Sequence, residues 1–304
     1  MARFRTLVQW PLVAGGLSVV ASAIAAGCPP AGHDLATLQS LKAANFEMAD
    51  DAGRQSLARA LLPCLADPDP GLRDGIAFEA YSTWMRAGKL DVAMREDLLS
   101  RLMAMLQPDP ADQDGFRQPF AALVLSEVAR TDRLSSWMSS EQRNRLVDEA
   151  ARYLSSVRDY RGFVEQQGWR HGVAHGSDLV LQLVLNPQLD RGAVDRLLAA
   201  VAAQVAPPGE HAYVDGESER LARPVLYAAS RKLHSPEDWG KWLQAVASPA
   251  PLPDWGAAFQ SRSGLAKRHN LQAFLYALYV NAQESGDAGM QALLPALQAV
   301  FKML

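Results

Sequence analysis

The chain carries little charge and no excess of either sign. Charged residues fill 21% of 304 positions, and the formal net charge is −3. A protein held to nucleic acid mainly by electrostatics needs a basic balance or a basic stripe. Neither is present, which excludes that class. Strand signals are nearly absent too, with no alternating β-branched run set between Asn-Gly or Asp-Gly turns. The chain has no serine nucleophile elbow, no phosphate loop and no dinucleotide fingerprint. Pro and Gly number 18 and 21, too few and too irregular for collagen or a disordered polymer. What is abundant is apolar: 49% of the residues are hydrophobic, enough for a sizeable core. Composition and motifs together name no activity.

Part of that hydrophobicity belongs to residues 1–27. Arg3 and Arg5 precede an apolar run, Pro11–Ile24, which ends in Ala25-Ala26-Gly27 before Cys28. This is the charge, apolar stretch and small-residue site of a bacterial export signal. The run is shorter than the roughly 20 residues of a membrane span, and no later segment approaches one. We therefore expect residues 1–27 to be an export signal and 28–304 to be a single periplasmic helical domain. The only two cysteines, Cys28 and Cys64, then have two mutually exclusive fates. They pair in the oxidising periplasm, or Cys28 follows a lipobox-like Ala25-Ala26-Gly27 and is lipidated. The second fate would be the chain's one route to a membrane.

The remainder reads as helices. Apolar residues recur at i, i+3, i+4 and i+7 between Pro, Gly and Asp clusters. The pattern predicts helices near 34–45, 52–63, 71–87, 91–106, 115–131, 139–156, 169–186, 190–204, 218–233, 236–247, 266–284 and 287–302. Ser139 and Ser235 are expected N-caps, and 248–263, rich in proline, an irregular stretch. Longer, more apolar helices begin near 71, 115, 169, 218 and 266, each followed by a more polar one. Hairpins repeating every 40–50 residues are the signature of a HEAT/armadillo-like α-solenoid, with an α/α toroid as the alternative.

Polar residues on apolar helices mark the candidate site. His171, His175, Asp178 and Gln182 form one stripe of an otherwise apolar helix. Two histidines four residues apart can share a divalent metal, here a candidate cofactor, with Asp178 as a third ligand or an orienting group. Alternatively one histidine is a general base, or the stripe is a buried polar network. Gly172 and Gly176 leave room for a neighbouring helix. Glu79 and Glu127 lie on apolar faces of earlier helices, and Glu79, Glu127 and His175 stand 48 residues apart. If the repeat holds, these three sit level on successive helices. They are catalytic candidates together with His171 and Asp178. Trp169, Arg170, Gln182, Arg223, Tyr227, Arg268, His269 and Tyr276 are ligand-binding candidates, since Arg and Tyr stripes suit carboxylates, sugars and peptides.

Several segments carry a resemblance to a known family. Asp159-Tyr160-Arg161-Gly162-Phe163, Gly168-Trp169-Arg170-His171-Gly172-Val173-Ala174-His175-Gly176-Ser177-Asp178, Gly75-Ile76-Ala77-Phe78-Glu79, Leu125-Ser126-Glu127 and Lys267-Arg268-His269-Asn270 resemble the bacterial domain of unknown function 2785. The resemblance implies an all-helical domain and supplies no catalytic residues. Two functions from different classes remain open. One is an inner groove that binds a peptide, protein or envelope glycan. The other is a metal- or His-dependent hydrolase or lyase on an α/α scaffold.

Overall fold

A computed structural model describes residues 27–304. The expected export signal lies outside these residues apart from Gly27. The chain is mostly helical. Its elements in order are α1 (Leu35–Ala43), α2 (Asp51–Ala60), α3 (Pro70–Leu72), α4 (Glu79–Arg86), α5 (Val92–Met105), α6 (Arg117–Leu134) and α7 (Ser140–Ser156). A two-stranded hairpin follows, β1 (Phe163–Val164) and β2 (Gly168–Trp169). Then come α8 (Gly172–Val184), α9 (Arg191–Val205), α10 (Glu217–Ser230), α11 (Pro236–Val246), α12 (Arg262–Glu284), α13 (Ala288–Gln291) and α14 (Leu294–Phe301). Among the described residues no helix is long and apolar enough to cross a membrane.

Local chemistry sets the helix starts. Asp34, Asp91 and Asp190 each accept a hydrogen bond from the backbone N–H three residues on, at 2.7–2.8 Å. Ser139 and Ser235 form reciprocal capping boxes with Gln142 and Asp238, satisfying donors that a helix start would otherwise leave open. The irregular stretch 248–263 contains a 3₁₀ turn at Gly256–Gln260. Ser261 then starts α12 four residues before its expected position.

The apolar faces assemble two layers. In the front layer α4, α6, α8, α10 and α12 pack in that order, each against the next. Behind them α5 lies on α6, α7 on α8 and α9 on α10, and α7 also packs on α9. At Gly176 α7 packs tightly on α8: a Cβ there would stand 3.1 Å from the Leu154 side chain and 3.2 Å from the Tyr153 ring. Cys28 and Cys64 form a disulfide, with Cα atoms 5.0 Å apart. It ties the start of the described chain to a 3₁₀ turn, Leu62–Ala66, just after α2.

The helix expected over 287–302 is broken into α13 and α14, and two expectations that bear on the site are corrected. The continuous helix over 71–87 contains a π-helical segment, Arg73–Phe78. There the fully buried Arg73 donates to the carbonyls of Asp67, Pro68 and Gln167. Its guanidinium carbon lies 3.8 Å from the Phe116 ring centre. The helix expected from residue 169 begins only at Gly172, and His171 before it is left-handed with φ 55°. The reason is a competing set of hydrogen bonds. The Arg170 and His171 N–H groups donate to the Gly162 and Arg161 carbonyls across the hairpin, so the hairpin claims the residues a helix would have used.

Candidate functional site

The front layer holds an open groove of about 710 Å³. From α6 comes Glu127, buried to 5% exposure. It accepts two hydrogen bonds from the Arg86 guanidinium at the end of α4, one at 3.0 Å from Nε. From α8 comes Asp178, ion-paired with Arg220 of α10. Gln182, one turn further along α8, accepts from Arg133 Nε at 3.1 Å. Burial raises the Asp178 carboxyl above its usual range even beside Arg220.

The histidines occupy the groove's hairpin end. His171 Nε2 lies 2.9 Å from the Asp215 carbonyl, and a carbonyl acceptor makes that nitrogen the donor. The buried Glu217 carboxylate is 3.7 Å from the same nitrogen, and burial raises its pKa as well. His175 packs edge-on to Phe120 at 5.2 Å and to His171 at 5.8 Å. Its Nδ1 is buried without a hydrogen-bond partner among the described residues. Burial, reinforced by the charges of His171 and Arg220, pushes the His175 pKa down to about 3. The imidazole is therefore neutral across the usual pH range.

This has a consequence for stability. A histidine with a folded pKa near 3 and an ordinary unfolded pKa leaves the unfolded state binding the extra proton between those values. Stability from this group is complete above the unfolded pKa and falls as pH drops below it. Between pH 7 and 5 the loss is about 2 kcal/mol. Denaturant unfolding of His175→Gln beside the parent should show a pH dependence shallower by that amount; identical slopes would refute the assignment.

Trp169 flanks the histidines. Its indole stacks on the His171 ring at 4.4 Å and 24°, with Phe163 packed at an angle 5.1 Å away. Asp74, Phe78, Asp215 and Glu219 complete the polar and aromatic lining.

The structure thus brings Glu127, Trp169, His171, His175, Asp178, Gln182 and Arg223 to one groove. It does not bring Glu79. That carboxylate is half exposed and pairs with Lys42 Nζ of α1 at 2.8 Å. The π-helical turn just before it widens the helix by a residue and rotates later positions away from the expected face. Arg170 is buried as well, donating to the Asp114 carbonyl at 2.7 Å and lying over Phe116. Arg268 bonds Gln272 and the Leu304 carbonyl. Among the described residues no group of three or more His, Cys, Asp or Glu could hold a metal ion, so His171 and His175 find no third ligand.

His269 and Tyr276 line a second cavity of about 500 Å³ between α10 and α12. Tyr227 and Arg223 line a third, of about 670 Å³. The three cavities adjoin through shared lining residues and together form a trough. The first and third share Leu181 and Arg223, the second and third share Val280 and Asn281, and the first and second share Gly216 and Glu219. Arg223 stands at a junction of this trough, exposed, with no carboxylate within 4 Å among the described residues.

Sequence reading missed Asp74, Arg86, Asp215, Glu217 and Glu219. For the ion pairs a signal existed. Arg86 and Glu127 are 41 residues apart, and Asp178 and Arg220 are 42 apart. Opposite charges one hairpin apart are what an ion pair between stacked helices requires.

These features define a class: a mostly helical protein whose stacked helices share an open, polar, ion-paired trough. The chain belongs to the family described as Protein of unknown function (DUF2785), whose profile matches residues 102–280. That stretch runs from the end of α5 into α12 and contains Glu127, the hairpin, α8 and α10. No curated protein and no solved structure matches the chain.

Proposed function

We propose that this is an exported helical-repeat protein that binds an extended ligand, a peptide, protein segment or envelope glycan, along its front layer. In this reading residues 28–304 are one α-solenoid of the HEAT/armadillo kind, and the front layer is its inner surface. The observation that carries it is the adjacency of three cavities across α6, α8, α10 and α12, each sharing lining residues with the others. With neighbouring helices 8–10 Å apart, such a trough is about 25–30 Å long. That accommodates roughly eight residues of extended peptide. Most of its charged groups are already paired or hydrogen-bonded, which suits recognition of a polar chain better than bond-breaking chemistry.

The test uses a displayed random-peptide library and a panel of soluble oligosaccharides. Arg223→Glu reverses the charge at the trough's junction and is expected to weaken any binder by about tenfold or more. Arg196→Glu, on α9 in the back layer, should leave binding unchanged. Absence of any binder, or equal binding by both variants, refutes the reading.

A second reading, a hydrolase or lyase, is favoured by one observation. Burial holds Asp178 above its ordinary range inside the groove, as proton-transferring carboxyls are often held. Under it, Asp178→Asn would abolish cleavage of a bound chain while leaving binding intact.

A further inference from the structure

We propose that the chain held in the trough is a glycan, and that Trp169 is the platform on which one of its sugar rings stacks. This rests on the reading of the trough as the binding face. A pyranose presents C–H groups on its faces and hydroxyls around its edge. A site for it needs an open aromatic face with donors and acceptors beside it.

Trp169 supplies the aromatic face. It keeps 39% of its surface exposed while lining the groove. Its backbone is fixed by pairing with Phe163 across the hairpin, and its ring is backed by His171. The platform is therefore held in place before any ligand arrives, which lowers the ordering cost of binding.

The neighbouring walls supply the edge partners. The Arg86–Glu127 and Arg220–Asp178 pairs are each close to neutral as units. Carboxylate lone pairs and guanidinium N–H groups outnumber the bonds within such pairs. The neutral His175 ring belongs to the same lining.

The common peptide modes fit less well. Strand addition needs a free sheet edge, and each strand here is two residues long. Docking of an amphipathic helix needs an apolar groove, whereas this one is walled by ion pairs.

Isothermal titration with three soluble hexasaccharides tests the proposal: β-1,4-linked N-acetylglucosamine, β-1,4-linked glucose and an oligouronate. At least one is expected to bind and to change tryptophan fluorescence. Trp169→Ala should weaken that binding by about tenfold, and Trp169→Phe, which keeps an aromatic face, should retain most of it. Trp169→Phe should keep close to the parent's thermal unfolding, and Trp169→Ala, which loses the contacts with His171 and Phe163, should remain folded at the titration temperature by circular dichroism. If no hexasaccharide binds, or Trp169→Ala binds as the parent does, the proposal is overturned. Should a displayed peptide then bind with sensitivity to Arg223→Glu, the glycan falls and the binding reading stands. Should nothing bind, both fall.

Discussion

Replacing Asp132 with Ala is expected to destabilise the protein by about 3–5 kcal/mol, the usual cost of removing one partner of a buried ion pair. Asp132 is 1% exposed near the end of α6. It accepts from the Trp137 and Met138 N–H groups at 2.8 and 2.7 Å, from Arg143 Nε at 2.7 Å and from Asn186 Nδ2 at 2.8 Å. One carboxylate thus joins the α6–α7 connection, α7 and the segment after α8. Its removal leaves the nearly buried Arg143 guanidinium without its counter-charge. Burial alone would raise the Asp132 pKa. The bonds from Arg143, Met138, Trp137 and Asn186 outweigh it and hold the carboxyl below the usual carboxylate range.

The unfolded state binds the proton more readily, so this stabilisation is present above the ordinary carboxylate pKa. It is lost as pH falls below that value toward the lower folded one. Urea unfolding at neutral pH measures the main effect. A loss under about 1 kcal/mol would place Asp132 among ordinary surface carboxylates.

Removing the disulfide is expected to have the second-largest effect. Cys28 and Cys64 are 36 residues apart. Closing a loop of that size restricts the unfolded chain by roughly 3–4 kcal/mol in the chain-entropy account. The double variant Cys28→Ser/Cys64→Ser should lose at least that much stability in denaturant, because a hydroxyl at the fully buried position of Cys64 adds its own cost. Thiol titration of the denatured, unreduced parent should find no free sulfhydryl. Mass spectrometry of the protein recovered after export discriminates the two fates of Cys28. A mass consistent with an intact bridge agrees with the pairing in the structure. A diacylglyceryl group on Cys28 with one free thiol at Cys64 would overturn it.

Much of the architecture was legible because helices announce themselves locally. The expected spans for α5, α7, α9 and α11 fall within a residue or two of those observed, and Ser139 and Ser235 cap where a serine followed by first-turn acids predicts. The two misplacements have a common origin. At Arg73–Phe78 and at Trp169–His171 the local periodicity favours a helix, and distant partners override it. Arg73 takes the carbonyl of Gln167, 94 residues away. His171 is fixed by Arg161 and by the Asp215 carbonyl. No periodicity within one segment reports such long-range hydrogen bonds.

The candidate site shows the same division. His171, His175, Asp178 and Gln182 were legible as a polar stripe on an apolar helix, because burying such a stripe without partners is costly. The ion pairs of Asp178 and of Glu127 were only hinted at, by opposite charges one hairpin apart. Arg86 and Arg220 sit on other helices, and only stacking brings them within reach of Glu127 and Asp178. Glu79 failed as a member because one widened helical turn changed its face.

The sequence by itself determined the helices, most of their boundaries and the identity of the most informative segment. Those properties follow from residue-to-residue spacing and side-chain chemistry within single turns. Tertiary structure alone decided the cysteine pairing, which carboxylates meet which guanidiniums, and how three cavities join into one trough. Each of these depends on the relative placement of helices 40 or more residues apart or, for the cysteines, on closing a 36-residue loop. Placement of that kind is set by packing of whole apolar faces, a collective property that no local window of sequence contains.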